Sequence, residues 1–427
     1  MNAFWFRLYN YFAIPILWVF LHAAAILEPK VRRGIRGRRR LFDELARDSS
    51  RLGGHRRIWF HSSSLGEFEQ AKPIIAALRE REQDLSIIVS FFSPSGYDHS
   101  RSYQLADVIT YIPFDTRSKA SRFLDLIKPD VAVMVRYDVW PNHLLELRRR
   151  SIPTFIANAT LRPTSSRLLG PLRSFHHFLY ENLTGIFTVS KADADAFSRF
   201  DLHRPVIQVI GDTRYDQVWQ RREGARSKHL IPEPLLKGKR VLVVGSSWPE
   251  DEAVILPAFR RVAQHDSRAM MILVPHEPTV ETLDRLEVEL SQAQLRSIRF
   301  SDLNDYTDEN VILVDSIGIL MSLYQYAGLA YVGGSFRQGI HSVLEPAVYG
   351  IPVIFGPEHD NSIEALELVR REAGFVVENQ EDAYRLIRRM FNDRRARTST
   401  GNIALSLVKE NIGATDRFLH AAAEVLK

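Results

Sequence analysis

The feature that most limits what this chain can become is an alternation. From residue 58 onward, short β-rich apolar runs, "IWFHSS", "SIIVSFF", "DVITYIP", "VAVMV", "TFIANA", "GIFTVS" and "VIQVIG", are separated by amphipathic stretches such as "EQAKPIIAALRERE" and "KASRFLDLIK". Continuous apolar runs suit strands buried on both faces, and helical crossovers are what parallel strands need between them. The alternation therefore predicts a parallel sheet covered by helices on both sides. It breaks after Gly211 at "DTRYDQVWQRREGARSKHLIPEPLLKGK", a polar stretch with two late prolines that reads as an interdomain connection. A second series follows, "VLVVGS", "AMMILVP", "VILVDS", "LAYVGG", "PVIFGP" and "GFVV". The expectation is an α/β chain of two Rossmann-like, doubly wound domains. Residues 46–211 form the first, 212–238 the linker, and 239–427 the second with its terminal helices. Ligands of such sheets bind beyond the carboxyl ends of the strands, so two domains facing one another would enclose one cleft.

A length of 427 residues supports two domains of ordinary globular composition, and the absence of cysteine excludes disulfides and thiolate metal sites. The net charge of +5 is localised, because Lys30, Arg32, Arg33, Arg36, Arg38, Arg39 and Arg40 stand together without an acid among them. Removing their +7 leaves the rest of the chain at −2, so no broad nucleic-acid-binding face is expected. Just before this segment "LYNYFAIPILWVFLHAAAIL", Leu8 to Leu27, carries no formal charge. At 1.5 Å per residue it is about 30 Å long, one hydrocarbon thickness. Asn10, Pro15 and His22 keep an interfacial helix open beside a spanning one. Residues 1–45 are thus read as a membrane anchor with a basic juxtamembrane segment that meets anionic lipid headgroups. The excess of positive charge after the apolar run places the body on the cytoplasmic side of the membrane.

Candidate chemistry gathers at strand ends. In "HSSSLGEFEQ", Ser64 and Glu67 have capping-box spacing, and the turn with Ser63 and Gly66 aims a helix N-terminus at whatever anion lies beyond it. "VRYDVWPNH" places Arg136 and Asp138 after another strand; Arg136 can meet an acidic substrate or pair with Asp138 or Asp130. "VVGSSWPEDE" offers Ser246 and Ser247 in a strand-to-helix turn, as a phosphate site or as an ordinary connection. The most informative stretch is "YVGGSFRQGIHSVLEPAVYGIPVIFGP". There Gly333 and Gly334 let backbone approach a phosphate closely, Gly339 and His341 follow, and Ser342 and Glu345 again have capping spacing. "KADADAF" contains Asp193 and Asp195 as D-x-D, but Ser190 and Asp193 fit a helix cap, and no metal is expected there.

The stretches "HSSSLGEFEQAKPII", "FFSPSGYD", "VWPN", "GDTRYD", "GSSWPEDE" and "VGGSFRQGIHSVLEPAVYGIPVIFGP" resemble, in order, the bacterial 3-deoxy-D-manno-octulosonic acid (Kdo) transferases of lipid A biosynthesis. The resemblance implies a GT-B glycosyltransferase fold with a tethered acceptor domain and a CMP-Kdo-binding domain. It implies inverting transfer of Kdo to the 6′-hydroxyl of a tetraacylated lipid A precursor, with no metal and no cofactor beyond the donor substrate. Gly333, Gly334, Ser335, Gly339 and His341 would surround the CMP phosphate and Glu345 would take the ribose, with Ser246, Ser247 and Ser342 nearby. Ser63, Ser64, Gly66 and Arg136 would meet the acceptor.

Many family members carry a juxtamembrane glutamate as general base, whereas the matching position here is Arg36, which cannot take a proton at neutral pH. Glu67 and Asp138 are the replacement candidates, with Asp43 and Glu44 behind them. Two other readings stay open from the residues alone: a UDP-sugar transferase or epimerase of the same fold, and a tethered nucleotide-binding protein without turnover.

Overall fold

A computed structural model describes residues 2–50, 52–53, 56–82 and 84–423 of the chain. It divides into two compact units, Met1–Gln217 with Ile412–Lys427, and Val218–Asn411.

In unit 1, seven parallel strands, β1 (Arg56–Ser62), β2 (Leu85–Phe91), β3 (Val108–Tyr111), β4 (Val131–Val135), β5 (Thr154–Ala159), β6 (Gly185–Thr188) and β7 (Val206–Val209), take the order β3-β2-β1-β4-β5-β6-β7. β1 is central and pairs in register with both neighbours, Phe60 opposite Val89 and Val133. Its side chains alternate between two cores: Trp59 joins Ile88, Phe123 and Met134 on one face, while Ile58 and Phe60 join Phe68, Ile74 and Val89 on the other. All seven expected strands form, and apart from the exposed edge strand β7 the sheet is buried on both faces, as unbroken apolar runs require.

Unit 2 repeats the plan with β8 (Arg240–Ser247), β9 (Ala269–Pro275), β10 (Ser297–Arg299), β11 (Val311–Leu313), β12 (Leu329–Val332), β13 (Val353–Phe355) and β14 (Gly374–Val376), ordered β10-β11-β9-β8-β12-β13-β14. β10 was not anticipated. It is a three-residue, half-buried edge strand, "SIR", too short to show an apolar run.

Two boundaries differ from the sequence expectation. The stretch read as the interdomain connection opens with a fourteen-residue helix, Thr213–Arg226. Its entry is tied into unit 1, where Thr213 Oγ1 donates to the carbonyl of Gln70 and its amide to Asn158 Oδ1. The last helix, Ala414–Ala421, expected with the second domain, packs in unit 1 through Phe418 and Leu419. Asp216 holds that return by accepting from the amide and hydroxyl of Thr415.

The N-terminal segment is helical throughout: α1 (Asn2–Leu8), a π-helical turn at Tyr9–Ala13, and α2 (Ile14–Leu27). Phe4–Leu27 is long and apolar enough to cross a membrane, and none of its most apolar stretch is buried within the structure. Polar pegs dock its first half onto unit 1. Trp5 Nε1 donates to Ser174, the Tyr9 hydroxyl donates to Asp115 Oδ2 at 2.8 Å, and Asn10 Oδ1 accepts from Asn142 Nδ2. The opposite face leaves Tyr11, Phe12, Ile16, Val19 and Phe20 exposed. Arg32 closes the far end through the carbonyls of Ala25 and Ile26. Then follow α3 (Pro29–Gly37), α4 (Leu41–Ser49), α5 (Leu65–Arg81) and, after β2, α6 (Pro94–Ser100).

Candidate active site

The carboxyl ends of β1 and β4, where the sheet of unit 1 reverses its direction of winding, bring together His61, Ser62, Ser63, Glu67, Arg136 and Asp138. His61 closes β1 as a fully buried imidazole. Its Nε2 lies 2.8 Å from Asp138 Oδ2, and its Nδ1 lies 2.8 Å from Ser90 Oγ, which also accepts from Trp59 Nε1. Burial pushes the Asp138 carboxyl upward. The hydrogen bond and charge of His61, with bonds from Ser63 and Trp140, outweigh it and hold Asp138 below the ordinary carboxylate value. An ionised carboxylate only accepts, so His61 Nε2 carries the proton. Ser90, which accepts from Trp59, braces the ring from its other side. One fifth of the Asp138 side chain remains exposed, which leaves it reachable from outside.

Glu67 has a different occupation. Its Oε2 accepts from the amides of Ser63 (2.5 Å) and Ser64 (3.3 Å), while the Glu67 amide donates to Ser64 Oγ at 3.5 Å, so the capping box forms. The amides of Ser63, Ser64 and Glu67 are thus engaged within the turn. Burial first, then the charge of Asp138, raises the Glu67 carboxyl above its usual value. Gly66 lies within the first turn of α5 instead of in the turn before it, and a Cβ there would meet nothing within 4 Å.

Arg136 pairs with neither expected partner: Asp130 accepts from the Arg57 amide, and Asp138 is engaged by His61 and Trp140. Its backbone stands at φ 64°, a left-handed conformation that costs a non-glycine residue about 1 kcal/mol or more. Among the described residues its Nε and the Ser62 hydroxyl are buried without a partner. Strain and orphaned donors beside an ionised carboxylate mark a place arranged for something other than stability.

In unit 2 the corresponding reversal lies between β8 and β12. Here the organiser is Asp251, fully buried and missed by sequence reasoning. It accepts from the Tyr331 hydroxyl (2.6 Å) and from the amides of Trp248 and Gly334 (both 2.9 Å). Burial raises its carboxyl above the usual value against those bonds. The glycines answer first to this packing: a Cβ at Gly333 would stand 2.2 Å from the Ser246 carbonyl oxygen, and one at Gly334 2.4 Å from that of Gly339. Two serines are likewise engaged inside. Ser247 Oγ donates to Glu252 Oε1, and Ser335 Oγ accepts from the Gly356 amide. Ser246 stands at φ 54° and Gly339 at φ 94°. The second expected capping box does not form, because the helix begins only at Leu344, with Ser342 exposed in the loop and Glu345 accepting from Arg221 at 3.2 Å.

His341 joins a stack of three rings. Trp248 lies 4.5 Å from His276 and His276 4.6 Å from His341, all within 24° of parallel, and Trp248 Nε1 donates to His341 Nε2. Burial, then the neighbouring His276, brings the His341 imidazole down to about 4, so it is neutral at physiological pH with its proton on Nδ1. His276 was missed; its signal was its place directly after the strand "AMMILVP". Among the described residues, no group of three or more histidines and carboxylates is spaced for a metal. The D-x-D resolves as a cap, Ser190 with Asp193, while Asp195 pairs with Lys191.

Two α/β units of this topology recur among solved structures. A UDP-GlcNAc 2-epimerase from Neisseria meningitidis matches with a TM-score of 0.59 over 86% of this chain and 100% of its own, at 14% identity, a likeness of fold alone. The class is therefore the GT-B fold of glycosyltransferases and their relatives. Within it, residues 34–217 match the model of the 3-deoxy-D-manno-octulosonic-acid transferase (kdotransferase) family. The similarity continues beyond it: a 3-deoxy-D-manno-octulosonic acid transferase of Haemophilus influenzae is 26% identical over 368 residues, 85% of each chain. A bifunctional glycosyltransferase/methyltransferase of Fusobacterium nucleatum is 26% identical over 86% of this chain, which spans 58% of that protein's length. The resemblance to Kdo transferases read from the motifs is borne out by these similarities.

Proposed function

We propose that the protein transfers Kdo from CMP-Kdo to the 6′-hydroxyl of a tetraacylated lipid A precursor, at the cytoplasmic face of the inner membrane. The observation that carries this reading is the cluster at the ends of β1 and β4, which lies inside the matched family domain and supplies an ionised, reachable carboxylate where Arg36 has removed the usual base.

In this reading Asp138 takes the hydroxyl proton as the acceptor oxygen bonds to the anomeric carbon and the donor C–O bond breaks, its electron pair leaving on CMP. A carboxylate below its ordinary value is a weak base. It suffices when the hydroxyl becomes acidic as its new bond forms. His61 fixes its orientation and Glu67 holds the turn carrying Ser63 and Ser64, while Arg136 offers its guanidinium to acceptor anions. Unit 2 would hold the donor. The neutral His341, through Nδ1, and the Gly339 amide donate to the CMP phosphate with Ser246 and Ser342 beside them, while Gly333 and Gly334, whose own amides are held by Gly245 and Asp251, shape the loop, and Glu345 accepts from the ribose. Ser247 and Ser335 support this loop from within.

The membrane reading is sharpened by the anchor. Its first half is tied to unit 1 by Trp5 and Tyr9, and α3, which follows after Glu28, is tied to the same unit by Arg38. A helix held against the unit at its start and followed by a docked helix lies in the interface, with its exposed apolar face toward the acyl chains.

The deciding experiment is mass spectrometry of lipid product after incubation of the full chain with CMP-Kdo and the precursor. A gain of one or more Kdo units is expected. An unchanged lipid, with a working transferase alongside, overturns the proposal. Tighter binding of UDP than CMP turns it toward a UDP-sugar enzyme.

A further inference from the structure

Between α3, α4 and α6, unit 1 forms a cavity of about 690 Å³, open to solvent, whose wall carries Arg33, Arg36, Arg39, Arg40, Arg47 and Arg101. Three acids, Glu44, Asp48 and Asp98, share that wall, leaving an excess of positive charge. Arg33 approaches Asp98 at a long 3.5 Å, and among the described residues Arg36, Arg39, Arg40 and Arg101 have no carboxylate within ion-pairing distance. Like charges gathered around one hollow repel, and an anion bound there relieves the repulsion.

The wall is held rigidly. Arg38, the one arginine of α3 and its following turn that points inward, donates to the carbonyls of Ile112, Gly34 and Phe92, and its guanidinium lies 4.8 Å from the Phe92 and Tyr111 rings. Burial lowers it to about 10, so it stays charged at neutral pH. A Cβ at Gly37 would come within 2.6 Å of the Tyr111 ring, which shows how closely α3 is seated. Tyr97 and Tyr111 stack 4.2 Å apart beside the arginines. Burial is the main cause that pushes the Tyr111 phenol up to about 12 and also raises Tyr97, so both are hydroxyl donors at neutral pH.

Planar guanidinium forks and two phenols make a donor-rich site suited to several oxygens on one anionic centre. A phosphomonoester brings three such oxygens and about 1.5 to 2 negative charges, whereas a phosphodiester brings one charge. Only Glu28 separates Leu27, the last residue of the apolar helix, from α3, so an interfacial anchor sets the cavity at the level of headgroups.

We infer that this cavity seats a phosphomonoester borne by a membrane lipid, at a place separate from Asp138. The inference rests on the proposed membrane association but not on Kdo transfer, so the two can fail independently.

The test is flotation of the full chain with phosphatidylcholine vesicles that contain phosphatidate, a monoester, or phosphatidylglycerol, a diester, at matched surface charge. About tenfold tighter binding to phosphatidate is expected, a preference of about 1.4 kcal/mol. Arg36→Gln, at an exposed position that leaves the fold intact, should abolish it. Lys30→Gln removes the same charge from the same segment outside the cavity and should preserve it. Equal affinity for the two lipids, or equal losses in the two variants, overturns the inference in favour of diffuse attraction. Inorganic phosphate bound without vesicles as tightly as phosphatidate would overturn the assignment to a lipid.

Discussion

The two units place the same kind of strand end to opposite electrical use. In unit 1 the reversal point holds a carboxylate in its charged form by hydrogen bonds from His61, Ser63 and Trp140. In unit 2 it holds groups away from charge, with burial raising Asp251 and lowering His341 to about 4. One scaffold therefore supports a place that can accept a proton and a place that offers neutral donors to an anion. What differs is which side chain the first turn brings back: His61 from within β1, or Asp251 from the helix after β8. A carboxylate facing outward is a reagent, while one facing inward is a clamp.

The comparison breaks most visibly at Asp138. Asp138→Asn should lower kcat about a thousandfold with KM little changed, the usual scale for a general base; wild-type kcat in the lipid assay would remove Asp138 from the chemistry. Asp251→Ala should instead act on stability. It strands the Tyr331 hydroxyl and two amides in a buried site, at about 3 kcal/mol, read as faster hydrogen exchange in β8 and β12 with β1 unaffected. Equal losses in both sheets would mean the clamp is not local to unit 2. Ser64→Ala, which removes the hydroxyl half of the cap, should cost about 1 kcal/mol in urea unfolding. A loss of activity out of proportion to that would give Ser64 a direct part. The smallest expected effect is none: in a proton NMR titration the ring signals of His341 should not move between about pH 5.5 and 8, the range around an unperturbed imidazole. A midpoint near about 6.5 would contradict the stacked, neutral state.

The sequence made the sheets legible because their strands are buried on both faces and write themselves as apolar runs; thirteen of the fourteen can be read that way, and β10 is too short. Caps were legible at Ser64 and Ser190, where spacing and helix start coincide, and misleading at Ser342, where the loop delays the helix to Leu344. The helix Thr213–Arg226 was hidden by its polar composition, since it is held by residues distant in sequence such as Asn158 and Gln70. The return of Ala414–Ala421 to unit 1 is likewise a matter of tertiary contact. At the candidate sites the carboxylates and the histidine of the glycine loop could be found. Their partners could not: His61 and Ser90 interrupt apolar runs, and Asp251 and His276 look like ordinary polar residues at strand and helix ends until the groups opposite them are known.

The Tyr9 hydroxyl donates to the same Asp115 oxygen that accepts the Asn142 amide, at the start of the helix immediately after Trp140. No slack segment intervenes between the anchor and that side of the site. On the proposed reading the enzyme works at a fixed height above the acyl chains and meets its acceptor by lateral movement in a plane. Its rate should then follow the number of acceptor molecules per unit of bilayer area, and fall when inert lipid dilutes them at constant bulk concentration.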